Sequence, residues 1–126
     1  YDATGNRTSI TTDGLSQSYT INYMNNWLVK AGQTSRSYDA NGNLTKQGAD
    51  TFTYDSQNRL VAATVAGVTV SYTYNHLDQR VTKTLNGQTR LLVYDLAGNL
   101  IEELGAATGD GLAEYIWLDG TPVAFV

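Results

Sequence analysis

Tyr38-Asp39-Ala40-Asn41-Gly42-Asn43-Leu44 is the stretch whose reading decides the fold. It returns as Tyr94-Asp95-Leu96-Ala97-Gly98-Asn99-Leu100, and it opens the chain as Tyr1-Asp2-Ala3-Thr4-Gly5-Asn6. Tyr54-Asp55-Ser56-Gln57-Asn58-Arg59-Leu60 is a close variant. Tyr74-Asn75-His76-Leu77-Asp78-Gln79-Arg80 and Tyr23-Met24-Asn25-Asn26-Trp27-Leu28 read as worn copies. The leading tyrosines lie 22, 15, 16, 20 and 20 residues apart, and Tyr115 follows 21 after the last. A period of about 20 residues marks a repeat architecture.

Each copy has the chemistry of a reversal. Asp39 opens a turn, where its carboxylate accepts a backbone N–H two residues on. Ala40 and Asn41 take the central positions. Gly42 follows, where a turn closing with a bulge needs positive φ and glycine has no Cβ to clash. Asn43 and Leu44 begin the return strand. Asp2 with Gly5, Asp55 with Asn58, and Asp95 with Gly98 repeat the pattern, and Asp78 holds the glycine slot of the Tyr74 copy.

Strands lie between the turns. Val68, Val70, Tyr72 and Tyr74 alternate onto one face, as do Phe52 and Tyr54. Strict alternation sets Val81, Lys83 and Leu85 opposite Arg80, Thr82 and Thr84. Asn86-Gly87 reads as a two-residue hairpin turn, and Asp119-Gly120 as another. The strand ending at Tyr94 is apolar on both faces, which predicts a strand covered on both sides or central in its sheet; Tyr115-Ile116-Trp117-Leu118 has the same look. The only helical candidate, Leu100 to Ala107, is broken by Gly105 and Gly109, and residues 105–111 read as an irregular loop. The expectation is an all-β fold: an antiparallel β-hairpin meander of about ten to twelve short strands, forming a twisted, curved sheet because strand twist accumulates.

The bulk composition narrows the function. The 126 residues fit one domain, and a compact chain of that size buries about 65% of its unfolded surface, so the length allows a packed core. The formal net charge is −4, with 8 basic residues never adjacent in sequence, which argues against binding a nucleic-acid backbone. There are no cysteines, so disulfides and thiolate metal sites are excluded. No apolar run approaches the roughly 20 residues of a membrane span, and no signal peptide is visible. Both ends look cut, and residues 1–126 are expected to be one β-sheet segment of a longer chain.

The recurring Tyr-Asp-x-x-Gly-Asn cassette resembles the YD-repeat, or RHS-repeat, family. The span from Tyr74 to Leu100 carries the likeness most strongly, with Arg80-Val81-Thr82-Lys83-Thr84, Asn86-Gly87 and the Tyr94 cassette. Tyr115-Ile116-Trp117-Leu118-Asp119-Gly120-Thr121-Pro122-Val123-Ala124 resembles the end of an RHS repeat region. The resemblance implies a β-sheet strip that spirals into a hollow shell around a toxin or effector domain, in a bacterial protein that is secreted or at the cell surface; teneurins use a similar shell. The chain departs from the full pattern by being too short to enclose cargo alone. It also stops before the self-cleaving Asp-Pro-x-Gly-Leu segment, so the resemblance lends it neither cleavage chemistry nor toxin activity. Its partners would be neighbouring YD repeats or the toxin cargo.

Nothing in the residues demands catalysis. His76 is the only histidine and sits in a turn, with no second His or Cys for a nucleophile–base pair or a zinc site. The aspartates Asp2, Asp39, Asp55 and Asp95 share the turn-opening slot, which explains them without acid–base chemistry. Thr108-Gly109-Asp110-Gly111 lacks the oxygen-ligand spacing of a calcium loop, and Asn6-Arg7-Thr8 and Asn43-Leu44-Thr45 match only the short glycosylation sequon. No enzyme activity, cofactor or metal is expected. The aromatics leave two readings open. Trp27, Trp117 and Tyr115, with the other tyrosines, form either cross-strand ladders or a face that stacks on a glycan or a partner protein. Single-stranded nucleic acid would need a cationic groove beside them, and none is visible. Unpaired sheet edges also predict self-association.

Overall fold

The computed structural model describes residues 1–126 and contains no helix. Its strands are β1 Ser9–Thr12, β2 Leu15–Ile21, β3 Leu28–Ala31, β4 Thr34–Tyr38, β5 Leu44–Gln47, β6 Asp50–Tyr54, β7 Leu60–Val65, β8 Val68–Tyr74, β9 Arg80–Leu85, β10 Gln88–Tyr94, β11 Leu100–Gly105, β12 Gly111–Leu118 and β13 Thr121–Phe125. All 13 lie in one sheet, in chain order, each antiparallel to the next. The meander is therefore as expected, with one strand more than the upper estimate. The hairpin β1–β2, with Ser9-Ile10-Thr11-Thr12 and Leu15-Ser16-Gln17-Ser18, shows little apolar alternation.

Two kinds of turn alternate, so the sheet has two unlike rims. On one rim the strands reverse through tight turns such as Asp13-Gly14, Ala66-Gly67 and Asn86-Gly87, with φ of 51°/77°, 50°/80° and 51°/76°. Two successive positive φ values define the hairpin turn that matches strand twist. On the other rim lie the cassettes, and each cassette hairpin is bulged at its leading residue. The register slips at Thr20/Ile21, Ser37/Tyr38, Thr53/Tyr54, Thr73/Tyr74 and Val93/Tyr94, and again at Ile116/Trp117. A bulge bends its strand and raises local twist. These six slips share one rim, and the single other slip, at Glu103/Leu104, lies toward the opposite one.

The two faces differ as sharply as the rims. One carries the aromatics: Tyr38, Phe52 and Tyr54, then Tyr72, Tyr74 and Tyr94, then Tyr115 and Trp117, all half-buried. The other is lined by hydroxyls that pair across strands, Thr64 with Thr69 at 2.8 Å, Thr73 with Thr82 at 2.7 Å and Thr84 with Thr89 at 2.8 Å.

No second layer covers either face. Only Ala31, Ala63 and Ala113 are buried, and the accessible surface is 8744 Å². A compact globule of this mass would expose about 6,600 Å². The packed core that the length allows does not form, because a single sheet leaves both faces in reach of water. The strand β10 shows the consequence: it is flanked by β9 and β11, yet Leu91 on its hydroxyl-side face is 37% exposed. Its two-sided apolarity reflects a position inside the sheet rather than cover on both sides. Residues 105–111 form the end of β11, a short turn in which Gly105 N–H donates to the Asp110 carbonyl at 2.9 Å, and the start of β12.

Candidate functional site: the cassette rim and the tyrosine face

Five cassettes are built the same way down to single hydrogen bonds. In the Tyr38 copy, Asp39 Oδ1 accepts the Asn41 and Asn43 backbone N–H groups, both at 2.9 Å, and Oδ2 accepts Asn43 Nδ2 at 2.9 Å. Asp39 N–H donates to the Asn43 carbonyl at 3.0 Å, and Gly42 N–H to the Asp39 carbonyl at 3.2 Å. Asp2 with Asn6, Asp55 with Arg59, and Asp95 with Asn99 repeat the bracket. In the Tyr74 copy the polarity of the outer bond is reversed: Asn75 Oδ1 still accepts the Leu77 and Gln79 N–H groups, but Asn75 Nδ2 donates to Gln79 Oε1 at 2.7 Å.

The bracket fixes the electrostatics. Donors aimed at a carboxylate favour its charged form. The Asn6 side chain and backbone N–H hold Asp2 down at about 2. Asp39 and Asp95 are lowered chiefly by the Asn43 and Asn99 side chains, and Asp55 by the Arg59 backbone N–H and guanidinium. These aspartates are occupied by the turns themselves. No group of three or more His, Cys, Asp or Glu side chains converges in a metal-holding arrangement.

The left-handed slot links each cassette to its neighbour. Gly5, Gly42 and Gly98 hold φ of 85°, 89° and 88° there, while Asn58 and Asp78 hold 62° and 61°. The non-glycine residues reach back one cassette. Asn58 Oδ1 accepts Asn41 Nδ2 and Asn43 Nδ2, both at 2.8 Å, and Asp78 Oδ1 accepts Arg59 Nη1 at 2.7 Å. Asn26, at φ 57°, likewise accepts Asn6 Nδ2 at 3.0 Å.

The leading aromatics add a second link. Tyr38 hydroxyl donates to the Leu28 carbonyl at 2.9 Å, Tyr74 to Leu60 at 2.7 Å and Tyr94 to Arg80 at 2.8 Å. Each acceptor is the residue that ends the preceding cassette. Burial also pushes the Tyr94 hydroxyl above its ordinary range. Trp117 plays the same part with its indole, Nε1 donating to the Leu100 carbonyl at 2.7 Å. Trp117, not Tyr115, therefore leads the last unit. Tyr115 instead bonds Glu103 at 2.8 Å, which raises its hydroxyl, and packs against Phe125 at 5.4 Å. The Tyr23 copy is also displaced: Asn22 takes the bracket position, with the Met24 N–H donating to its Oδ1 at 2.9 Å. Ile21 stands where a tyrosine would, and Tyr23 projects from the turn, 90% exposed. Trp27 lies 5.0 Å from the Tyr38 ring. Tyr1 is 80% exposed and accepts Arg7 Nη2 at 3.5 Å; His76 is exposed in its turn.

Two participants escape a simple reading of the repeat. The sixth cassette residue, always Asn, Arg or Gln in these copies, completes the bracket; its signal was a side-chain donor recurring four residues after Asp or Asn. Arg80 was set on the hydroxyl face by strict alternation, but the bulge beside Tyr74 turns it onto the tyrosine face, 4.0 Å from the Tyr72 ring centre.

A single-layer strip of self-linking turn units, closed by a Tyr/Trp-to-carbonyl ladder, defines a β-repeat protein that grows by addition of identical hairpin pairs. The Teneurin YD-shell family matches residues 1–102, and the chain belongs to it. It is 38% identical over 101 residues, 75% of its length, to the tRNA nuclease WapA of Bacillus subtilis strain 168. It has the same identity over 101 residues to the tRNA3(Ser)-specific nuclease WapA of Bacillus spizizenii. The chain spans 4% of each of those proteins.

Proposed function

We propose that these residues are a non-enzymatic piece of wall in a YD-repeat shell, and that the shell encloses a toxin or effector domain of a secreted or cell-surface bacterial protein. The observation that carries this is the strict chain order of the 13 strands in one open layer. Such a strip lengthens by repetition, with each cassette bonded to the one before it, and needs no chemistry beyond the turn. The names of the relatives describe tRNA nucleases. We assign that kind of activity to parts of the parent protein outside the repeats, since the aspartates here are committed to turn brackets and the one histidine stands alone in a turn.

Protease protection of the parent protein tests the proposal. With the wall intact, the toxin domain is expected to survive limited proteolysis that digests it once released by denaturant. Removing one whole unit, residues 55–74, is expected to leave the remaining strands paired while shortening the wall and exposing the cargo. Equal digestion of the cargo in intact and denatured protein would overturn containment.

A further inference from the structure

The chain is acidic overall, yet its tyrosine face is basic. Six of the eight basic residues lie on that face: Arg7, Arg36, Arg59, Arg80, Lys83 and Arg90. The two others, Lys30 and Lys46, lie on the hydroxyl face, opposite Ser35 and Ser37. The carboxylates of the tyrosine face are Glu103 and Asp50, and Asp50 is occupied by the Ala66 N–H at 3.0 Å. Most of the remaining negative charge is carried by the turns along the rims. No run of basic residues in the sequence announces this segregation; strand alternation and the bulge at Arg80 assemble it.

Arg59 is paired with Asp55 at 2.8 Å and Asp78 at 2.7 Å, but its neighbours on the face are short of acceptors. Arg36 Nη1 and Arg80 Nε are buried without any hydrogen-bond partner. Lys83 and Arg90 stand directly opposite each other on β9 and β10, an arrangement that like charges disfavour. Only Glu103 serves them: it accepts Arg90 Nη1 at 3.0 Å and is shared with the Tyr115 hydroxyl. Lys83 has no carboxylate within ion-pair distance. A hollow of about 160 Å³ opens between the two, lined also by Leu85, Asn86 and Gln88. A larger one of about 580 Å³ adjoins it across Gln88 and Arg90.

We propose that the tyrosine face is a docking surface for an acidic stretch of polypeptide, anchored at the Lys83–Arg90 pair. Charge complementarity selects the sign of the partner. The geometry selects a peptide over a nucleic acid. The cations are spaced strands apart, suited to separate carboxylates rather than to a continuous phosphate chain. Three of the rings that a base could stack on are already partnered, Tyr72 by Arg80, Tyr74 by Arg59 and Tyr38 by Trp27. This deepens the wall proposal by naming what its tyrosine side meets, and it fails separately: a wall without affinity for acidic peptide would still protect its cargo from protease.

Fluorescence anisotropy on the 126-residue chain, with a labelled glutamate-rich peptide, a lysine-rich peptide and a single-stranded RNA of equal length, decides it. The glutamate-rich peptide is expected to bind saturably and to weaken at least about tenfold as salt rises from about 50 to about 300 mM. Lys83→Glu combined with Arg36→Glu should abolish binding, and the milder Lys83→Gln should weaken it several-fold. Lys30→Glu with Lys46→Glu, on the other face, should leave it unchanged, with thermal midpoints reporting that every variant is folded. Absence of saturable peptide binding, equal loss from the two double variants, tighter binding of RNA, or competition by a second copy of the chain at the same concentration would each overturn the proposal.

Discussion

At the scale of the residue, the cassette is a bracket whose polarity has to match. Asp95 accepts from Asn99 Nδ2 at 2.8 Å, while Asn75 donates to Gln79 Oε1. Asp95→Asn alone is therefore expected to lower the thermal midpoint, because the Ala97 and Asn99 N–H groups lose a charged acceptor and the new Nδ2 faces the Asn99 Nδ2. Asp95→Asn with Asn99→Gln recreates the Asn75–Gln79 pair and should recover most of the loss; no recovery in a melting experiment would mean the bracket is not the stabilising unit. The same carboxylates set the acid limit. Their pKa values in the fold lie below the ordinary 3.8, so the unfolded chain binds protons first. The stabilisation is complete above that value and is lost as pH falls through the folded values, about 2 for Asp2. Urea midpoints should hold steady down to the ordinary value and then drop, and a flat profile to pH of about 2 would contradict it. The glycine slot gives a third test. A Cβ on Gly42 would lie 3.3 Å from the Trp27 ring, while on Gly98 it would meet only Gln79 Nε2 at 3.5 Å. Gly42→Val and Gly98→Val should each cost about 1–3 kcal/mol through forced left-handed backbone. Gly98→Asp should cost much less, since Asp78 already holds that conformation and Gln79 can donate to the new carboxylate. The glycine slots were legible because so few residues tolerate positive φ. The bonds from Asn58 and Asp78 to the preceding cassette were not, because they join residues that only pairing through intervening strands brings together.

At the scale of the element, the hairpin is more than an alternating strand pair. Period-two alternation correctly put Phe52 with Tyr54 and Val70 with Tyr72: the extra residue of the Thr53/Tyr54 slip lies on the partner strand β7, and the pairing of Val70 to Tyr72 is regular. It failed at Arg80, because two residues face one across the bulge beside Tyr74 and the alternation slips there. It also misplaced the leading residue of two units. Tyr23 and Tyr115 match the spacing, but Ile21 and Trp117 occupy the bulged position, and spacing alone does not distinguish a tyrosine from another large side chain two residues away. What defines the position is the register slip, and at Tyr38, Tyr74, Tyr94 and Trp117 a bond from the ring to the end of the previous cassette accompanies it. Tyr94→Phe removes the donor to the Arg80 carbonyl while keeping the ring, and is expected to cost about 0.5–1.5 kcal/mol in urea unfolding. Trp117→Phe should cost a similar amount at the Leu100 carbonyl if the indole serves as a rung. A Trp117→Phe variant as stable as the parent chain, yet impaired in saturable sugar binding, would return the aromatics to a ligand-stacking role.

At the scale of the whole molecule, the thinness that suits a wall leaves an isolated piece exposed. Each end of the sheet presents a strand with one side unpaired, β1 at one end and β13 at the other. The two ends are unequal. On β13, Val123 is 55% exposed and Phe125 69%, whereas β1 carries Ser9, Thr11 and Thr12 with a single large apolar residue, Ile10. Unpaired backbone beside apolar side chains invites another strand. Because every strand opposes its neighbour and the number is odd, β1 and β13 run the same way. Head-to-tail addition of a second copy would thus join them in parallel, the slightly weaker pairing. Two β13 strands related by a two-fold axis meet antiparallel and close the assembly with one interface. The expected product is a dimer through β13 rather than an open filament. Sedimentation at rising concentration should show it, and Val123→Lys on that edge should return the chain to monomer without lowering its melting temperature. A monomer at every concentration would contradict self-association through the sheet edges.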